Sequence, residues 1–401
     1  MKKVIYLDNA ATTRCYKEVV KAMSSVHLES YGNPSSSHEM GEKAFELLME
    51  GKRAISKEIN CKPYEIIFTS GGTESNNFAL RGLALANLEK KKIIISSIEH
   101  SSVYEECVYL KVKGYEIVEL PVDREGLIDL EKLENEIDEN TLLVSIIHAN
   151  NEIGTIQDLK KISTLCKKNN VLFHADAVQS FGKTPIDVLD IELDFMSISS
   201  HKIYGSKGIG AIYIKDINQL SPIFYGGKQE NKIKPGTENL PGIAGFGIAA
   251  KLISLEMYEN AIKLRSMQIE LMEKLLLLDD VTIIGAGIEK VKENLPEEKY
   301  LYRLPGHVSI CCKYVEGENL VLQADLKGLA ISSGSACSSL STDIENAKIK
   351  PSHVLVALGV KDDYIKGSLR VSLGQENTSD DVSYIAESIK NILDKLRVRV
   401  A

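Results

Sequence analysis

The sequence predicts an α/β protein, with a large domain built on a mostly parallel sheet and a smaller α+β domain after it. Three observations lead there. Between about residues 66 and 214, short apolar runs alternate with longer helical patterns, as parallel strands joined by crossover helices do. A long helical stretch beginning at Pro241 then breaks the alternation. Beyond it the strand and helix patterns are spaced differently and close on a helix. The 401 residues give room for two domains, with a boundary near residue 255.

Taken in order, residues 66–69 read as a strand and about 74–90 as a helix. Residues 92–96 are a strand and 101–113 a helix. Strands follow at 116–120, 142–148 and 171–174, separated by helical patterns near 129–137 and 158–169. Residues 195–199 and 210–214 extend the sheet. After the helix at 242–278, strands are expected at 281–284 and 307–315, a helix near Glu318, strands at 329–332 and 368–372, and a final helix at 379–396.

Composition narrows the function classes. Lys and Arg number 48 against 56 Asp and Glu, a net charge of −8. That balance offers no electrostatic footprint for nucleic acid or an anionic membrane, so neither is expected as a partner. No uninterrupted apolar run approaches the ~18 residues of a membrane span, and only Val4–Leu7 precedes Asp8, too short for a signal-peptide core. Seven scattered cysteines without a CxxC argue against a disulfide framework or a zinc site. A reducing cytoplasm is the simplest location, and no metal is expected.

Four segments carry candidate chemistry. Thr69–Asn77 joins a strand to a helix through Gly71-Gly72-Thr73. It is either a phosphate cradle of free backbone N–H groups or an ordinary glycine turn capped by Thr73. Asp176 ends an apolar strand, where ligands of open α/β sheets sit, although an isolated Asp there more often caps the next helix. Lys202 follows the strand 195–199 and suits a Schiff-base nucleophile if its ammonium loses its proton; most lysines are simply solvated. His100 follows the strand 92–96, and a lone His is usually structural. Together the four are more specific. A phosphate cradle, a carboxylate, a lysine and an imidazole after separate strands of one sheet are what pyridoxal 5′-phosphate requires.

These segments belong to a longer series. Tyr6–Thr13, Tyr31–Ser36, Gly72–Ser75, Glu99-His100, Asn150–Gly154, Asp176–Ser180, Ser199–Lys202, Gly236–Asn239, Ser332–Cys337 and Leu369–Leu373 occur in the order found in one family. Over nearly its full length the chain resembles the cysteine desulfurases of the class V aminotransferase family, and its Ser332-Ser333-Gly334-Ser335-Ala336-Cys337 block is similar to the subgroup serving iron–sulfur cluster assembly. The resemblance implies the fold type I of pyridoxal-phosphate-dependent transferases. Residues 14–255 would form the cofactor domain, and 1–13 with 256–401 the smaller domain carrying the Cys337 loop.

It also implies roles. Lys202 is the Schiff-base lysine, Asp176 pairs with the ring nitrogen, Gln179 meets the ring hydroxyl and His100 stacks on the ring. Gly72, Thr73, Ser199 and His201 hold the phosphate, with Thr237 reaching in from a second subunit of a homodimer. Asn151 and Arg370, with Asn33, hold the carboxylate of L-cysteine, the planar Arg fork suiting that task. Cys337, among small polar residues, takes the sulfur as a persulfide for an iron–sulfur scaffold protein or another acceptor. Cys311 and Cys312 read as buried and structural. Two departures stand out: Thr342 to Lys350 is extra sequence, and Lys234-Pro235 replaces the usual Arg-Ser before Gly236. A selenocysteine lyase or another β-eliminating lyase would use Lys202 without needing Cys337, and a silent cofactor-binding scaffold or sensor would need neither.

Overall fold

The computed structural model describes residues 4–293, 301–334 and 351–398; Cys337 and the extra sequence after it lie outside these. Among the described residues twelve strands form in chain order. They are β1 (Ile5–Tyr6), β2 (Ile66–Thr69), β3 (Lys92–Ser96), β4 (Glu116–Leu120), β5 (Thr141–Ile147), β6 (Leu172–Asp176), β7 (Phe195–Ser199) and β8 (Gly210–Ile214), then β9 (Val281–Ile283), β10 (His307–Cys312), β11 (Leu329–Ala330) and β12 (Ser368–Ser372). Seven make the main sheet, ordered β2-β8-β7-β6-β5-β3-β4. Only β8 runs against its neighbours; β7, β6, β5, β3 and β4 are parallel.

Every residue of β3, β5 and β7 is buried, because helices cover both faces of a parallel sheet. The crossover helix Leu159–Lys168 shows how one is specified. Asp158 caps it by accepting from the Lys161 N–H, and Leu159, Ile162, Ser163 and Cys166 form its buried stripe. The helix expected at 74–90 begins earlier, at Gly72, widens into a π turn over Phe78–Gly82 and stops at Ala86.

Two long helices had no counterpart in the sequence reading, Lys17–Glu29 and Glu39–Glu58. Both pack on the 37-residue helix Leu240–Leu276. That helix enters through Pro241 with Asn239 as its cap, the position where a missing N–H costs nothing. An 18-residue window in it has mean hydropathy 1.3, enough by composition to cross a membrane, although no uninterrupted apolar run marks it. Many of its apolar residues face protein: Ile243, Phe246 and Ile253 enter the core of the main sheet, and Met267, Leu271 and Leu275 a second core. The division near residue 255 therefore falls inside one continuous helix.

The second core lies on an antiparallel sheet β12-β10-β9 and the parallel pair β1-β11. Chain start and chain end thus share one body. Arg303, fully buried, braces this body from within: its guanidinium donates to the carbonyls of His307 (2.9 Å), Ala286 (2.6 Å) and Ile284 (2.7 Å). Burial lowers its pKa to about 9.

Helices Glu39–Glu58 and Leu240–Leu276 approach closely at Gly51 and Gly247, where a Cβ on Gly247 would lie 3.0 Å from the Gly51 Cα. A Cβ on Gly51 would meet Ile243 Cγ2 at 2.6 Å and Phe68 Cζ at 3.3 Å. Gly51→Val should therefore overpack the contact and destabilise the protein by about 1–3 kcal/mol, seen as a lower denaturant midpoint with an unchanged slope.

Candidate active site

The carboxyl ends of β2, β3, β5, β6 and β7 meet along one edge of the main sheet. A cavity of about 290 Å³ opens there, lined by Gly72, Thr73, His100, Asn151, Asp176, Gln179, Ser199, His201, Lys202 and Arg370 among others. Ten residues singled out in the sequence thus converge. Each is delivered by its own segment: Gly72 and Thr73 by the turn after β2, His100 by the loop after β3, Asn151 by the loop after β5. Asp176 ends β6, and Ser199 to Lys202 follow β7.

Asp176 is 3% exposed. Its Oδ2 accepts from Asn76 Nδ2 (2.8 Å) and its Oδ1 from the Val178 N–H (3.0 Å). Among the described residues it has no ion-pair partner, so a buried carboxylate with only neutral donors faces the cavity. That is the setting a protonated ring nitrogen needs. At Gly72 a Cβ would strike Val178 Cγ2 at 2.6 Å, so the backbone there stays bare at the cavity wall. These features fit pyridoxal phosphate: Asp176 for the ring nitrogen, and Gly72, Thr73, Ser199 and His201 for the phosphate. Burial, then the charges of Lys202, Lys207 and Lys183, lowers His201 to about 4.

Lys202 Nζ donates to the carbonyls of Ala10 and Ala11, both at 2.7 Å. Gln179 Nε2 donates to the same Ala10 carbonyl at 2.8 Å. The N-terminal segment is itself pinned to the second body, since Asn9 Nδ2 donates to the Ser372 carbonyl and Ser372 Oγ accepts from the Ala10 N–H. Arg370, next but one along β12, donates from Nη1 to the Asn151 carbonyl (3.0 Å) and from Nη2 to Asp8 Oδ1 (2.8 Å). Its Nε is buried without a hydrogen-bond partner. Asn151 thus steers Arg370 through its main chain.

His100 caps helix Ser101–Val112 with Nδ1, which accepts from the Ser102 N–H (3.1 Å) and lies 2.8 Å from Ser102 Oγ. Burial, together with the charges of Lys202 and His353, lowers its pKa despite Asp176.

Two expected residues stand apart. Asn33 is exposed and accepts from the Ser35 N–H. Thr237 is exposed on the loop before the long helix and does not line its own chain's cavity. Cys337 lies outside the described residues. Lys234, in place of the usual Arg, lies 3.6 Å from Glu74. Cys311 and Cys312 are fully buried, with thiol pKa values raised by burial. Sequence reasoning assigned nothing to Asn76 and Ser102, whose amide and hydroxyl bridge Asp176 and His100. Their only signal was a place beside residues already singled out.

A strand-end constellation of this kind defines a fold type I cofactor site, and the comparisons agree. Residues 5–385 match the family model described as aminotransferase class-V, and the chain belongs to that family. A cysteine desulfurase IscS from Methanosarcina thermophila is 42% identical over 396 residues, covering 98% of this chain and 93% of the relative. Among solved structures, a NifS-like protein superposes with a TM-score of 0.87 at 35% identity, covering 98% of this chain and 100% of that one. A structure titled SspA in complex with cysteine has a TM-score of 0.77 at 33% identity, covering 92% and 98%.

Glu99 sits beneath the site, 1% exposed, and accepts from the Ile147 N–H at 2.8 Å and from Ser96. Burial, aided by the charge of Asp176, raises it from 4.5 to about 8. The folded state therefore holds a proton that the unfolded chain gives up, so this contribution to stability is full below pH ~4.5 and lost as pH rises towards 8. Urea unfolding at pH 5 and pH 8 should show Glu99→Gln reducing that decline by on the order of 1–3 kcal/mol.

Proposed function

We propose that the protein is a pyridoxal-phosphate-dependent cysteine desulfurase that converts L-cysteine to L-alanine and keeps the sulfur as a persulfide on Cys337. One observation carries the reading: Lys202, Asp176, His100 and Arg370 line one cavity. Nearly full-length similarity to a protein named cysteine desulfurase supports the substrate, as does a solved relative titled as a complex with cysteine.

Pyridoxal phosphate, when bound, supplies the electron sink that makes the cysteine α-proton removable. Asp176 binds its ring nitrogen and keeps that nitrogen protonated. Gln179 binds the ring hydroxyl, His100 covers the ring face, and Gly72, Thr73, Ser199 and His201 hold the phosphate. Lys202 carries the cofactor and then takes the α-proton at Nζ. Arg370 orients the substrate carboxylate with its remaining N–H groups, assisted by Asn151 and Asn33. The Cys337 thiolate attacks the substrate sulfur. A sulfur–sulfur bond forms, the carbon–sulfur bond breaks, and its electron pair stays with the three-carbon fragment, which gains a proton and leaves as alanine.

The sulfur then passes to an iron–sulfur scaffold protein or another acceptor. We infer a cytoplasmic homodimer in which Thr237 completes the partner's phosphate site, since Thr237 is exposed and away from its own cavity.

Incubation with L-cysteine tests the reading through two products, alanine and protein-bound persulfide. The wild type should give both. Lys202→Ala should give neither and lose the visible cofactor band. Cys337→Ala should keep the cofactor's spectral response to cysteine but form no persulfide; alanine release at the wild-type rate would point to a lyase instead.

Arg370→Lys keeps the charge and loses the fork. The expected cost is about 1.5–3 kcal/mol, read in steady-state kinetics as a raised KM with kcat little changed.

A further inference from the structure

Asn76 lies in the short helix Gly72–Asn77, 1% exposed and directed into the site. Its Nδ2 amino group donates twice, to Asp176 Oδ2 at 2.8 Å and to Ser102 Oγ at 2.8 Å. Because Ser102 Oγ accepts from Asn76, its own proton is free to point at His100 Nδ1, 2.8 Å away. The Ser102 backbone N–H already donates to that nitrogen at 3.1 Å. Nδ1 thus receives two donors, and the ring proton resides on Nε2. A second proton could enter at Nδ1 only if the Ser102 hydroxyl turned to accept it, while also accepting from Asn76.

We propose that Asn76 is a positioning residue that holds His100 in its neutral Nε2–H form through the Ser102 hydroxyl, while the same amino group grips the Asp176 carboxylate. The proposal rests on the reading of Asp176 and His100 as cofactor contacts. One side-chain amide thereby sets the group under the ring nitrogen and the group on the ring face together. The other charged and titratable groups facing the imidazole are Lys202 after β7, His353 of the helix His353–Ala357, and Asp176 itself. None of these touches Nδ1 in place of Ser102. Without Asn76, the hydroxyl can rotate to accept an Nδ1–H, and His100 gains proton affinity.

The test is a double-mutant cycle read on the imidazole itself. Histidine-selective ¹⁵N labelling follows the His100 titration, assigned by difference from His100→Gln, in cofactor-free and cofactor-loaded protein. Asn76→Ala should raise the proton affinity of His100 about threefold or more, moving its midpoint up by about half a pH unit. Ser102→Ala should not, since it leaves Nδ1–H without a hydroxyl to accept it. The double variant should behave like Ser102→Ala, because the path from Asn76 to the ring is gone. The acid limb of the kcat profile of Asn76→Ala should move upward with the imidazole.

An unmoved midpoint in Asn76→Ala overturns the proposal. So does the same upward shift in the double variant, which would mean that Asn76 acts by another route. Asn76→Leu, close in volume and uncharged, serves if Asn76→Ala is poorly folded by thermal unfolding; it too should raise the midpoint in the presence of Ser102, and an unmoved midpoint there counts equally against the proposal. Failure of the protein to retain pyridoxal phosphate would sink the cofactor reading alone, because the titration of the cofactor-free protein is read independently.

Discussion

Ile147 of β5 lies opposite Asp176 of β6, and Asp176 lies opposite Ser197 of β7, in one parallel register. A parallel ladder aligned in this way brings several strands to an end at one level, and the chain leaves each end with backbone groups and side chains unspent on the sheet. Slip one strand by a residue and its side chains exchange faces, so Asp176 would leave the cavity. The burial of every residue of β3, β5 and β7 is what prevents the slip, because an apolar strand covered on both sides has no cheap alternative position.

Buried polar groups then complete the site in a definite order. Asp176 is taken from water and compensated by Asn76 and a backbone N–H rather than by a cation. Lys202 and Gln179 share the carbonyl of Ala10, so the amine and the amide are placed by the same short segment. That segment belongs to the second body, where Ser372 pins Asn9 and Ala10. Arg370 on β12 reaches the same edge from that body and is braced by Asp8 and the Asn151 carbonyl. The cavity is therefore an interface between two cores, and its geometry depends on both being folded.

Much of this was legible beforehand. The strands β2, β3, β4, β7, β8 and β12 fall at the residues the sequence marked, and β3 and β7 show the clearest cause, since a parallel strand buried on both faces writes itself as a largely apolar run. Helices Lys17–Glu29 and Glu39–Glu58 were not read. Their stretch carries Val20, Leu28, Tyr31 and Phe45 at exposed positions, which blurs the helical period, and the fit of the second to the long helix rests on Gly51 and Gly247. The long helix spreads its apolar residues over two cores, so its pattern carried no sign of where one ends. The reversal of β8 left no trace in a run buried on both faces.

Chemistry with one residue per strand end was visible because residue type alone limits what a Lys, an Asp and a His can do after an apolar strand. Gly72, Thr73, His100, Asp176 and Lys202, read in this way, line one cavity with Asn151, Gln179, Ser199, His201 and Arg370, whose roles the family resemblance implied. Asn76 and Ser102 were not visible in that way, because a hydrogen bond between residues 26 positions apart in the chain depends on two helices packing at one distance and one angle. The support given to Lys202 by Ala10 and Ala11, 192 and 191 residues away, likewise depends on the N-terminal turn packing against the sheet edge. By itself the sequence determined most of the main-sheet strands, their mostly parallel arrangement and the reactive groups at their ends, because these follow from local pattern and residue chemistry. Which neutral donors face Asp176, and how His100 carries its proton, only the tertiary structure decided, because a buried polar atom takes whatever partner packing brings within about 3 Å.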